Sequence, residues 1–118
     1  MNSCADDFLG QILTVVVDRP LGSRHPTWGF VYLLNYGYIP GCPAPDGGMQ
    51  DAYVLGVDVP LEEFTGRCVA VVHRLDDIED KLIVVAENSP PLTPEEITLQ
   101  VDFVERYFET NLVLESRL

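Results

Sequence analysis

Apolar residues gather along the chain in short stretches whose makeup is that of strands. Residues 11–18 (QILTVVVD) are rich in β-branched side chains, and residues 30–34 (FVYLL) are short, apolar and aromatic. Residues 52–57 (AYVLGV), 68–73 (CVAVVH) and 81–86 (KLIVVA) repeat the pattern. Dense turn signals separate them: Pro20-Leu21-Gly22-Ser23, residues 39–43 (IPGCP), residues 45–48 (PDGG) and residues 64–66 (FTG). The connections are too short for crossover helices, so the pattern predicts a small barrel or sandwich rather than a parallel α/β sheet. One helix is signalled late in the chain, with Thr93 as cap, Pro94 at the first helical position and Glu96 three residues after the cap. Ile97, Val101, Val104 and Phe108 then recur at the helical period, a stripe to lay against the strands. The expected fold is mainly β: one barrel closed or propped by one helix.

Composition narrows the function classes. A chain of 118 residues and 13.2 kDa is expected to form a single domain over residues 1–118. Nineteen Asp and Glu stand against seven Lys and Arg, a formal net charge of −12. Such a surface repels phosphate backbones and anionic lipid, so no nucleic-acid and no membrane partner is expected. No apolar run approaches the roughly twenty residues of a spanning helix. The first residues lack the basic region of a secretory signal, and Cys4, Cys42 and Cys68 have no metal-ligand spacing. A cytoplasmic, reducing location is the economical expectation.

The acids are unevenly placed. Asp46 and Asp51 flank the Gly47-Gly48 turn, while Asp76, Asp77, Glu79 and Asp80 crowd the connection ahead of Lys81. Crowded carboxylates repel one another unless cations are present, and their oxygens suit hard cations such as Mg²⁺ or Mn²⁺. The alternative is that both are ordinary solvated acidic turns. Tyr32, Tyr36 and Tyr38 gather in a second cluster, with Arg19, Arg24 and His25 nearby and His73, Arg74 and Lys81 beside the second acidic turn. Acids, a few cations and phenol donors together would suit a phosphorylated ligand held through metal ions.

Asn35-Tyr36-Gly37-Tyr38-Ile39, the Asp46-Gly47 turn leading to Gln50-Asp51, and Asp76 followed by Asp80-Lys81-Leu82 resemble the family I soluble inorganic pyrophosphatases. Phe103-Val104-Glu105-Arg106-Tyr107 is similar to that family's helix, and the likeness runs from about Asp18 to Tyr107. The resemblance implies an OB-like five-stranded β-barrel with a C-terminal α-helix packed on it. It implies divalent-metal-dependent hydrolysis of inorganic pyrophosphate to two phosphates, with Mg²⁺ or Mn²⁺ as cofactor, in a homo-oligomer. It makes Asp46, Asp51 and Asp80 ligands of the tightest metal, with Asp51 bridging to a second ion and to the attacking water. Asp76 (or Asp77 in another register) and, more loosely, Asp18 are implied as further metal ligands. Lys81 is implied as a phosphate contact, Tyr36 and Tyr32 as active-site aromatics, and Tyr107 as a helical tyrosine touching phosphate.

The chain departs from that pattern in places. Gly48 stands where the family carries a third carboxylate, Met49 where many members have Pro, and Phe108 where a Lys normally follows the helix tyrosine. A hairpin that supplies a Lys, a Glu and an Arg in longer members is missing, and Arg19, Arg24 or His25 are the candidates to replace those charges. Two further readings therefore stand beside pyrophosphate hydrolysis: a weak or inactive relative that binds metal and phosphate ligands, and a hydrolase of another small phosphoanhydride.

Overall fold

The computed structural model describes residues 5–44, 47–76 and 79–115. Its strands are β1 (Ile12–Arg19), β2 (Asn35–Pro43), β3 (Met49–Val54), β4 (Glu63–Arg74), β5 (Asp80–Val85) and β6 (Thr110–Leu114). A short 3₁₀ helix at Ala5–Phe8 precedes them, and helix α1 (Pro94–Glu105) lies between β5 and β6. The hydrogen-bonded order β1-β2-β3-β5-β4, with β4 pairing back onto β1, closes a five-stranded barrel. All neighbours are antiparallel except β3 and β5. One edge of β4 is shared: Glu63–Arg67 meet β1, and Ala70–Arg74 meet β6.

Two apolar layers explain the unbroken hydrophobic runs. Val15, Val17, Ile39, Ala52, Val54, Cys68, Val71, Leu82 and Val84 fill the barrel. Leu34, Tyr53, Leu55, Ala70, Val72, Ile83 and Val85 point outward and are covered by Ile97 and Val101 of α1. β3, β4 and β5 are thus buried on both faces, and strands of that kind read as continuous apolar segments. A register shift between Cys68 and Ala70 allows Cys68 and Val71 to face the interior together.

Three expectations are corrected, and one strand is added. Residues 30–34 form no strand: they belong to a loop with a single bridge, Arg24 to Val31, and Leu33 is exposed. The second strand is instead the NYGYIPGCP segment. The Pro40-Gly41 signal marks not a turn but an irregularity between Ile39 and Pro43, where a residue without an N–H costs little. Phe64-Thr65-Gly66 lies inside β4, where a Cβ on Gly66 would sit 2.1 Å from the Val85 carbonyl oxygen. That glycine marks close approach of two strands. β6, half-buried and only five residues long, has no counterpart in the expected elements.

The helix start agrees with expectation. Thr93 Oγ1 accepts from Glu96 N at 3.1 Å, and Glu96 Oε1 accepts from Thr93 N at 2.9 Å, a complete capping box. Its end does not: the helix stops at Glu105, so Tyr107 and Phe108 lie in the turn that follows. Of the expected stripe, Ile97 and Val101 are buried, while Val104 faces a cleft.

Candidate functional site

A cleft of about 810 Å³ opens on the outer side of the barrel, between β2, β3, β5, the end of β1, the loop before β2 and the residues after α1. The register of the strands decides which side chains reach it. Asp51 and Lys81 are directly paired across parallel β3 and β5, and Tyr36 and Tyr53 are paired across β2 and β3. Residues on one rung point to one face, and all four line the cleft. Asp18 and Arg19 are sequence neighbours and would ordinarily face opposite ways. A register shift between Val17 and Arg19 breaks the alternation, and both line the cleft.

Lys81 is the hub, its side chain 3% exposed. Nζ donates to Asp51 Oδ2 at 2.7 Å, Glu79 Oε1 at 2.6 Å and the Tyr36 hydroxyl at 2.7 Å. Gln50 fixes the strands beneath it, donating to the carbonyl oxygens of Asp80 at 2.8 Å and Asp51 at 3.2 Å. Deeper in, Arg74 grips Glu105 through two bonds of 3.0 and 2.8 Å, and Tyr53 donates to the same carboxylate at 2.7 Å. The Arg74 guanidinium also lies 3.7 Å over the Phe108 ring and 3.8 Å from Glu79. Cation and carboxylate so buried stabilise one another. Burial alone would lower the pKa of Arg74, and the paired Glu105 more than offsets it.

The phenols stay neutral. Burial pushes Tyr36 well above its ordinary pKa, with Asp51 adding to the effect, and burial followed by Glu105 does the same to Tyr53. Tyr32 is raised by burial although Arg19 pulls the other way. These hydroxyls therefore remain O–H groups at ordinary pH, able to donate.

The structure sorts the expected site residues. Asp18, Arg19, Tyr32, Tyr36, Asp51, Lys81 and Tyr107 share the cleft, Tyr107 at its exposed rim. Asp80 does not: being one residue from Lys81, it takes the other face, where Oδ1 bonds His73 Nδ1 at 2.8 Å. His73 Nε2 in turn meets Asp6 Oδ1 at 2.7 Å. Asp76 lies in an exposed turn, accepting from Glu109 N at 3.4 Å. Arg24 is spent on the loop before β2, donating to the Gly29 carbonyl at 2.6 Å, while its neighbour His25 lines the cleft. Asp46 and Asp77 lie outside the described residues. Sequence reasoning assigned no site role to Tyr53 or Glu105, and named Glu79 and Arg74 only as part of the second acidic turn and its neighbouring cations. For Glu79 the signal existed: strand alternation from Lys81 selects position 79, not 80.

The carboxylates on the cleft suit Mg²⁺ in chemistry. That ion usually takes one or two carboxylates together with substrate phosphate oxygens, rather than an all-protein cage. Asp51 and Glu79, both within reach of one ammonium, supply such a pair. Among the described residues no group of three or more His, Cys, Asp or Glu converges to hold a metal.

Solved structures share this fold. An inorganic pyrophosphatase from Ehrlichia chaffeensis superposes with a TM-score of 0.71 at 16% identity, covering 91% of this chain and 88% of that one. One from Neisseria gonorrhoeae gives 0.60 at 22% identity, covering 84% and 72%. One from Thermus thermophilus gives 0.55 at 20% identity, covering 87% and 80%. The closed barrel with its flanking helix is thus an OB-like fold found in inorganic pyrophosphatases, and at these identities the likeness is one of fold. No protein-family model and no curated protein matches the chain. No helix among the described residues is long and apolar enough to cross a membrane.

Proposed function

We propose that this protein hydrolyses a phosphoanhydride in the cleft over Lys81, with inorganic pyrophosphate as the simplest substrate, giving two phosphates. The observation that carries the reading is the cluster of Lys81, Asp51, Glu79 and Tyr36 in a barrel shared with inorganic pyrophosphatases. Lys81 and Arg19 would neutralise charge on the phosphates, and neutral tyrosine hydroxyls would donate to their oxygens. Asp51, within β3 and paired with Lys81 of β5, would orient the attacking water and accept its proton. A divalent cation, Mg²⁺ or Mn²⁺, held by Asp51 and Glu79 would supply further charge neutralisation and acidify bound water. The protein would work as a cytoplasmic homo-oligomer of single-domain chains, an assembly that sedimentation velocity would measure.

Purified protein should release phosphate from pyrophosphate only when Mg²⁺ or Mn²⁺ is added. Asp51→Asn should lower that rate by roughly 10²–10⁴-fold. Equal activity in excess chelator, or an unaffected Asp51→Asn variant, overturns the reading. A second reading is binding without turnover. Gly48 favours it, because the resemblance places a carboxylate there and this chain has none. Calorimetric binding of pyrophosphate with no phosphate released, and turnover gained in Gly48→Asp, would decide for it.

A further inference from the structure

The cleft is far larger than pyrophosphate requires. Its volume of about 810 Å³ falls within the range that encloses an organic ligand of drug size, about 300–1,000 Å³. Its lining is also divided. Asp51, Glu79 and Arg74 gather at the Lys81 end, Asp18 and Arg19 lie beside Tyr32, and from Tyr32 to Trp28 the wall is aromatic. A continuous run of rings joins the two ends: the Trp28 and His25 centroids are 6.4 Å apart, His25 and Tyr32 6.2 Å, and Tyr32 and Tyr36 5.6 Å. Lys81 Nζ then lies 5.3 Å from the Tyr36 ring. Phe30 flanks the run, 5.0 Å from His25 and 5.1 Å from Tyr32.

Trp28 stands at the far end and is 77% exposed. It contributes little to any core, yet its turn is firmly held. Thr27 N and Trp28 N both donate to His25 Nδ1 at 3.0 Å, Gly29 N donates to the His25 carbonyl at 3.1 Å, and Arg24 caps the Gly29 carbonyl. An exposed indole on a braced turn at a cleft rim is a stacking platform whose ordering cost is already met by folding.

We infer that the cleft accepts a nucleoside di- or triphosphate, its base stacked on the wall of Trp28, His25 and Tyr32 and its phosphates over Lys81 and Arg19. The reading rests on phosphoanhydride hydrolysis at the Lys81 end. In the step itself water adds to the terminal phosphorus and its bond to the bridging oxygen breaks. That oxygen leaves with the electron pair on the shortened nucleotide, and the proton from water passes to the Asp51 carboxylate. The net charge of −12 disfavours a polynucleotide and leaves the mononucleotide as occupant. Base–aromatic stacking tolerates every base, so the wall predicts little preference between adenine and guanine.

Trp28 is the chain's single tryptophan, so its fluorescence reports the platform directly. Titration with adenosine and guanosine triphosphate in Mg²⁺ should quench it, and pyrophosphate should not. By calorimetry each nucleotide should bind about 5- to 150-fold more tightly than pyrophosphate. Trp28→Ala, an exposed substitution whose folding circular dichroism would confirm, should erase that margin and leave pyrophosphate affinity and turnover unchanged. Pyrophosphate turnover with no tighter nucleotide binding, or equal loss for both ligands in Trp28→Ala, overturns the inference alone. Absence of binding and turnover with all three ligands overturns the phosphoanhydride reading as well.

Discussion

Lys81 and its two neighbours in sequence show how much one residue of register decides. Glu79 and Lys81 meet in the cleft, while Asp80 between them turns to His73. Family likeness selects the aspartate next to the lysine, yet strand geometry selects the glutamate one position earlier. Glu79→Gln should cost roughly 10²-fold in phosphate release by loosening Lys81, whereas Asp80→Asn should leave turnover within a few-fold, measured side by side. The His73 contacts have their own consequence. Burial would lower the imidazole pKa, but hydrogen bonds to Asp80 and Asp6 outweigh it and leave it raised. A raised folded-state pKa gives stability that is fully present below the unfolded value, about 6.5, and is lost as pH rises through the folded one. Melting temperature should therefore fall as pH rises above about 6.5, and His73→Gln should remove that slope.

At the scale of elements, NYGYI carries structural demands that its resemblance to an active-site string hides. Asn35 is fully buried; its Oδ1 accepts from Leu21 N and Leu61 N at 3.0 Å each, and its Nδ2 donates to the Val59 carbonyl at 2.9 Å. One side chain thus ties two loops to β2. Asn35→Ala should cost about 1–3 kcal/mol for each buried N–H left unmet, read by urea denaturation. Gly37 is held by crowding, since a Cβ there would lie 1.9 Å from the Val16 carbonyl oxygen. Gly37→Ala should therefore cost about 3 kcal/mol or more, or prevent folding. The strands around residues 68–73 and 81–86 were legible because burial on both faces makes them uniformly apolar. Residues 30–34 are just as apolar for another reason: Phe30 and Tyr32 line the cleft and Leu34 joins the outer apolar layer, while Val31 makes a single bridge to Arg24. Composition cannot separate those two causes. The helix start was legible because capping is local chemistry, while its end depends on Glu105 reaching Arg74 and Tyr53 from a distant strand.

For the whole molecule, the charge of −12 and the barrel act together on any anionic ligand. Mean repulsion opposes its approach, and Lys81, Arg19 and Arg74 act only at short range within the cleft. Screening should therefore help binding: KM for pyrophosphate should fall as ionic strength rises from about 20 mM to about 200 mM, a span over which the Debye length shortens markedly. A rise would mean that the local cations dominate at long range. Closure of five strands accounts for a fold that persists at 16–22% identity to its structural counterparts. Volume and alternation define the barrel interior, and many sequences satisfy both. The cleft's individual chemistry lies on the outer face and in the loop before β2, where this chain is free to differ.

Cys68, fully enclosed in the barrel interior, turns that closure into a clock. Desolvation pushes its thiol up to about 12, so neither access nor ionisation favours attack while the ring of strands is intact. Each time the ring parts, the thiol meets water, regains ordinary acidity and can be alkylated. The slow phase of labelling by iodoacetamide should then track global opening, slowing with any ligand that stabilises the barrel and quickening in Gly37→Ala.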